Sequence, residues 1–253
     1  MNDGARGLED WRAPAADRLL PRAVLFDLDD TLFDHRRSAR AALADVHRMH
    51  AAHVDFDTFE RHHMHYLEEM HVEVLAGRVG LDEARKERFR RVFRALGVDL
   101  SDDRVAAVAA AYRDGYVSAR RVIDGAVDLL RALQPMTRIG IVSNNLLDEQ
   151  RDKLAFCGLT AFVDALVVSE DVGVSKPDPL IFQIALDRLG VAAPDAIMVG
   201  DSWAADIAGA ARAGIAAVWF NRDRKAMPPE PAGVRQIHAL APVAHVMDAL
   251  ERR

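Results

Sequence analysis

The sequence predicts an α/β fold: a doubly wound, Rossmann-like parallel sheet with an all-helical domain inserted after the first strand. Three features carry that expectation. Short, uniformly apolar runs recur along the chain, helical stretches alternate with the later ones, and one long segment contains no such run. The runs are Ala23-Val24-Leu25-Phe26, Ile139-Gly140-Ile141-Val142, Ala165-Leu166-Val167-Val168, Ala196-Ile197-Met198-Val199 and Ile215-Ala216-Ala217-Val218-Trp219. Uniform apolarity over four or five residues suits strands buried on both faces, as in a parallel sheet covered by helices.

Between these runs, residues 125–134 carry Val127, Leu130 and Leu133 at helical spacing and stop at Pro135. Residues 179–189 have Asp178 as N-cap, Pro179 at the first helical position and Gly190 just past the end. Residues 203–213 end at Gly214 in the same manner. Strand–helix alternation of this kind places a ligand site beyond the carboxyl ends of the strands. From 35 to 122 the pattern changes. Phe56, Phe59, His63, Tyr66, Leu67, Met70 and Val74 fall at helical spacing, as do Phe89, Val92, Phe93 and Leu96, and then Val105, Val108, Ala109, Tyr112 and Tyr116. The expected division is a loose arm over 1–21, an α/β core from 22–34 and 123–253, and a helical insert over 35–122. The tail, about 240–251, reads as one more amphipathic helix.

Composition narrows the functional classes. Of 253 residues, 50% are hydrophobic and 28% charged, an ordinary globular balance. The net charge of −6 disfavours nucleic acid and anionic membrane as partners, although a bound cation can invert the field inside a cleft. Cys157 is the one cysteine, so no intrachain disulfide is possible and a reducing compartment fits. No apolar run approaches the roughly 18–20 residues that span a bilayer. The first 21 residues lack a basic start followed by an apolar stretch, so no secretory signal is read and a cytoplasmic location is expected. No motif specifies an oligomeric state.

Four runs end in residues of chemical character. The first leads into Asp27-Leu28-Asp29-Asp30-Thr31 and the second into Ser143-Asn144-Asn145. The third is followed by Ser175-Lys176-Pro177, and the fourth by Gly200-Asp201-Ser202 with Asp206 beyond. A parallel sheet brings these ends together. On an extended strand end Asp27 and Asp29 point the same way, and carboxylates so close repel each other. With Asp201 added, the cluster calls for a cation, and oxygen-only ligands suit Mg2+ rather than Zn2+. Such a site points to phosphoryl transfer. One carboxylate attacks phosphorus, a second handles the protons, and Lys176, the Ser143 hydroxyl and backbone N–H groups near Asn144 hold the charged oxygens. Each motif alone has an ordinary reading as a strand end, turn or helix cap. Their joint occurrence, each after a buried run, does not.

In this order the residues resemble the four motifs of the haloacid dehalogenase-like superfamily. The resemblance implies that Asp27 is the nucleophile and Asp29 the general acid/base. It implies Ser143 as the hydroxyl that binds phosphate, Lys176 as the catalytic lysine and Asp201 as the main acidic metal ligand. The Asp27 carboxylate and the Asp29 carbonyl would complete the Mg2+ site, with Thr31 and Asp206 behind the ligands. The insert resembles a C1-type cap that closes over the crevice. The sequences around Asp27 and Lys176 are similar to the branch that contains pyrimidine 5′-nucleotidases and N-acylneuraminate-9-phosphatase. Asn145 departs from that branch, where Gly is usual, and Asn tolerates positive φ better than most residues. The implied activity is hydrolysis of a small phosphorylated metabolite through an aspartyl-phosphate. A 2-haloacid dehalogenase is the alternative enzyme, disfavoured because that activity lacks an acid at position 29. A non-catalytic binding protein on the same scaffold is the third reading.

Two features of the insert are read as structural. Seven histidines crowd residues 47–71, with His62 and His65 one turn apart, and the segment is taken as a polar helix face with a partly buried His63. Arg85, Lys86, Arg88, Arg90, Arg91 and Arg94 are taken as a solvated basic face beside Phe89 and Phe93. Trp203 is assigned either to the core or to the pocket lining.

Overall fold

The computed structural model describes residues 19–251. Of the loose arm expected over 1–21, residues 1–18 lie outside the described residues. The chain forms two compact units. One runs to Phe33 and resumes at Val122; the other is Asp34–Arg121.

The first unit is built on six parallel strands. They are β1 (Ala23–Phe26), β2 (Arg138–Ser143), β3 (Ala165–Val168), β4 (Ala196–Gly200), β5 (Ala216–Phe220) and β6 (Arg235–Ile237), in the spatial order β3-β2-β1-β4-β5-β6. All four residues of β1 and all five of β4 are buried, as their uniform apolarity requires. β1 pairs in parallel with β2 on one side (Phe26 opposite Ile141) and with β4 on the other (Phe26 opposite Val199). After β1 the chain winds outward to β2 and β3, then returns to the far side of β1 to lay down β4, β5 and β6. The winding direction therefore reverses between β1 and β4, the switch point where an open α/β sheet leaves a crevice at its carboxyl edge.

β6 is the strand that the apolar runs do not announce. It has three residues, and only Ile237 is buried. Being an edge strand, it needs no second apolar face, and its Arg235 and Gln236 blunt the edge.

The second unit holds α1 (His35–His50), α2 (Phe56–Leu75), α3 (Leu81–Ala95) and α4 (Asp102–Ser118). Its core is the expected apolar stripe, with Phe59 edge-on to Phe93 at 5.8 Å and Val92, Val105 and Val108 buried beside them. Back in the first unit, α5 (Ala126–Leu133), α6 (Leu147–Phe156), α7 (Ser169–Val172), α8 (Pro179–Leu189), α9 (Ala208–Arg212) and α10 (Val243–Leu250) accompany the sheet. In α8 the Asp178 carboxylate caps the Leu180 N–H at 2.9 Å and Gly190 closes the helix at φ 65°.

The helix expected over 203–213 is instead a π-helical turn, Trp203–Ile207, leading into α9. That wider turn carries Asp206, whose carboxylate fills the space in front of Gly200; a Cβ there would overlap it. Trp203 packs edge-on against the buried Trp219 and donates its indole N–H to the Glu230 carbonyl, which places it at the margin of the core. Among the described residues no helix is long and apolar enough to cross a membrane.

Candidate active site

The carboxyl edge of β1 and β4 gathers the acidic residues. Asp27 directly follows β1, and its N–H donates to the Val199 carbonyl at 3.0 Å, so β1–β4 pairing extends to it. Its side chain is buried between two donors. Lys176 Nζ donates to Asp27 Oδ1 at 2.6 Å, and the Thr31 hydroxyl donates to Oδ2 at 3.2 Å. Thr31 Oγ1 in turn accepts the Asp201 N–H at 3.1 Å, tying the turn after β1 to the turn after β4. Lys176 also donates to Asp206 Oδ1 at 2.7 Å, while Asp206 Oδ2 accepts the Ser202 N–H at 2.9 Å.

Asp27, Asp201 and Asp206 each offer a carboxylate oxygen within 4.8 Å of the others. Burial pushes the Asp27 carboxyl well above the usual carboxylate range; Lys176 opposes the shift, and Asp206 and Asp201 add to it. For Lys176 burial acts downward, but Asp206 and Asp27 outweigh it and raise the ammonium above its ordinary value. Three carboxylates against one ammonium leave excess negative charge. An oxygen-only donor set of that charge fits a hard divalent cation such as Mg2+.

Lys176 is held in place by Asn144. The Asn144 amide donates to the Lys176 carbonyl at 2.8 Å, and its oxygen accepts the Lys176 N–H at 2.7 Å. The Asn144 side chain thus clips the loop after α7 to the end of β2.

Asp29 takes a different course from the one expected. The strand ends at Phe26, and the chain turns back on itself with Asp30 at φ 64° and the Leu32 and Phe33 N–H groups both bonded to the Leu28 carbonyl. Strand alternation therefore does not govern Asp29. Its carboxylate is received by α6: Lys153 Nζ lies 2.6 and 2.8 Å from the two oxygens, and Gln150 Nε2 lies 3.0 Å from Oδ2. Asn145 Nδ2 adds a third donor at 3.0 Å. Gln150 also donates to Ser143 Oγ at 2.5 Å, so the hydroxyl and the carboxylate share one donor. Asn145 does not take a positive φ, so the turn makes no use of the tolerance expected of Asn there; its side chain is used instead, on Asp29.

Lys153 and Gln150 are residues that sequence reasoning missed. Both are fully buried on α6, one turn apart. Helix periodicity is read from apolar side chains, and here the buried face is polar. The available signal was a Gln–Lys pair at i, i+3 just after the Ser143-Asn144-Asn145 turn.

Fold and site together define an α/β enzyme of the hydrolase type, with a lysine-braced carboxylate crevice at the switch point of its sheet. The chain belongs to the haloacid dehalogenase-like hydrolase family, whose model matches residues 21–214. A glyceraldehyde 3-phosphate phosphatase of Methanopyrus kandleri is 34% identical over 205 residues, covering 80% of this chain and 85% of that one. The pyrimidine 5′-nucleotidase YjjG of Escherichia coli is 40% identical over 109 residues, 42% of this chain and 48% of that one. Among solved structures, the magnesium-bound HAD-hydrolase YfnB of Bacillus subtilis superposes with a TM-score of 0.71 at 28% identity, covering 90% of this chain and 99% of that one.

Proposed function

We propose that the protein is a Mg2+-dependent phosphatase of small phosphate monoesters, acting through an aspartyl-phosphate on Asp27. The observation that carries the reading is the Asp27 carboxylate itself, buried against Lys176 and grouped with Asp201 and Asp206 at the mouth of the β1–β4 switch point. The names of the relatives, a sugar-phosphate phosphatase and a nucleotidase, support the substrate class. The magnesium-bound relative supports the metal.

Asp27 forms the new P–O bond as the ester P–O bond breaks, and the leaving oxygen takes a proton from Asp29. Asp29 then accepts a proton from the water that attacks the aspartyl-phosphate, which regenerates Asp27 and releases inorganic phosphate. Lys176 and Ser143, with backbone N–H groups at Asn144, hold the phosphoryl oxygens. Mg2+, held by the Asp27 and Asp201 carboxylates and the Asp29 carbonyl, would neutralise charge on the transferring group. Thr31 and Asp206 orient these groups from behind. The helical unit Asp34–Arg121 is assigned the choice of leaving group, and a reducing, cytoplasmic setting suits the one cysteine.

The test is phosphate release from a panel of phosphorylated metabolites and an aryl phosphate, with kcat/KM compared across the panel. Turnover that chelation stops and Mg2+ restores supports the reading. Undiminished turnover after exhaustive chelation, or halide release from a 2-haloalkanoate without phosphate release, overturns it.

A further inference from the structure

α3 carries six cations, and five of them have carboxylate partners. Arg85 pairs with Asp82, Lys86 with Glu83, Arg90 with Glu87 and Asp102, Arg91 with Glu87 and Glu69, and Arg94 with Asp99. Arg88 is the exception. It is 6% exposed and makes no ion pair or hydrogen bond among the described residues, its Nε being buried without a partner. The solvated basic face expected from the sequence therefore fails at this residue, which faces into the helical unit. Its guanidinium lies instead over the faces of Phe89 and Tyr112, at 5.2 and 4.9 Å.

Beside it stands His63, 1% exposed and so wholly rather than partly buried, with both ring nitrogens unpartnered among the described residues. Its ring is 5.1 Å from that of Tyr112 and 5.4 Å from that of Phe89. Tyr112 is 8% exposed, and its hydroxyl finds no protein partner among the described residues. Among the described residues, none of the ionisable groups that shift Arg88 (Tyr112, Arg85) or His63 (Arg88, His35) is a carboxylate. Arg88 Nε and both His63 ring nitrogens are thus buried without partners, which is costly in a folded protein, and the charge beside them is positive.

We propose that Arg88, His63 and Tyr112 form an anion-binding site in the helical unit, one that takes a carboxylate or phosphate group of a small molecule. A guanidinium offers a forked set of donors matched to either anion, the imidazole offers an N–H, and the tyrosine hydroxyl offers a third donor. The aromatic faces around them exclude water and strengthen the contact. The anion has two sources, the charged leaving group of the substrate or a free anion. Only the first rests on the phosphatase reading.

The experiment compares the full-length protein with Arg88→Met and Tyr112→Phe, using succinate as the probe. In thermal unfolding, succinate should raise the melting temperature of the wild type, raise that of Tyr112→Phe less, and leave Arg88→Met unmoved. Without succinate, Arg88→Met should melt no lower than the wild type, because an unpaired buried charge has been removed. Equal stabilisation of all three proteins, or of none, overturns the site. Tyr112→Phe keeps the packing and decides the matter if Arg88→Met does not fold.

Turnover then separates the sources. 2-Phosphoglycolate and ethyl phosphate differ by a carboxylate. If the substrate supplies the anion, Arg88→Met should lower kcat/KM for the former by about ten- to a hundredfold, mainly through KM, and spare the latter. If a free anion is the ligand, succinate should alter ethyl phosphate turnover in the wild type and not in Arg88→Met. Hydrolysis of no ester in the whole panel by the wild type would defeat the phosphatase reading, while the unfolding measurement would still decide the anion site.

Discussion

Buried ionisable side chains occur in both units of this chain, but their surroundings differ. In the sheet unit Lys176 has Asp27 and Asp206 at 2.6 and 2.7 Å, and Lys153 has both oxygens of Asp29 within 2.8 Å. In the helical unit, among the described residues, Arg88 has aromatic faces and no carboxylate, and His63 has no hydrogen bond. A buried charge is tolerated when partners replace its lost hydration, and otherwise it is a standing cost. The crevice meets that requirement for its lysines and still keeps excess negative charge, the imbalance that a cation corrects. The helical unit keeps one buried cation without a carboxylate, Arg88, the local imbalance that an anion would correct.

The largest expected effect breaks the crevice at its centre. Asp27→Asn keeps the shape of the side chain but removes the nucleophile, and phosphate release should fall on the order of 10⁴-fold or more in a steady-state assay. The fold, followed by circular dichroism, should persist.

Lys176→Met tests whether pairing is what makes the crevice tolerable. It leaves Asp27 and Asp206 buried and uncompensated, so the metal-free protein should lose about 3–5 kcal/mol in urea unfolding. Adding Asp206→Asn should recover part of that loss, since the two sites are directly coupled. A neutral outcome for Lys176→Met would mean that the ion pair is dispensable.

Lys153→Met asks what the α6 clamp does for Asp29. With the carboxylate no longer held, turnover of an alkyl phosphate should fall by about ten- to a hundredfold, because its leaving group needs a delivered proton. An aryl phosphate with a good leaving group should fall much less, and Lys153→Arg should restore part of the difference. Equal losses on both esters would assign Lys153 a purely structural role.

The smallest effect concerns pH and the helical unit. Burial, with Arg88 and His35 adding to it, holds the His63 imidazole well below its ordinary value of 6.5. The folded state therefore keeps His63 neutral where the unfolded chain takes up a proton. Stability from this source is complete above pH 6.5 and is lost as pH falls from there toward the folded value. The slope contributed is at most about 1.4 kcal/mol per pH unit. His63→Phe should lessen the acid sensitivity of urea unfolding between pH 6.5 and pH 5, measured against the wild type.

Much of the fold was legible because its signals are local. Five strands showed as uniform apolar runs, since a strand covered on both faces has no polar position. Pro179 and Gly190 marked the ends of α8 because fixed and positive φ values are properties of single residues. β6 was hidden because an edge strand of three residues requires one apolar side chain, Ile237. The π-turn at Trp203–Ile207 was hidden because its apolar pattern is that of an ordinary helix, and the contact its Asp206 makes is with Lys176, far away in sequence.

The candidate site divides in the same way. The acidic residues and Lys176 could be named from short motifs at the ends of apolar runs. Their partners could not: Lys153 and Gln150 lie on a helix whose buried face is polar, and Asn144 serves the Lys176 backbone rather than pointing to a ligand. By itself the sequence determined the α/β class, the interruption by helices, and the identity of the residues at the carboxyl edge. Those follow from hydrophobic periodicity and from backbone preferences within a few residues. Only the tertiary structure decided which cation holds which carboxylate, and which cation is left without one. Coulomb energy and desolvation depend on distance and burial, and residues 124 or 149 positions apart become neighbours only when the chain has folded.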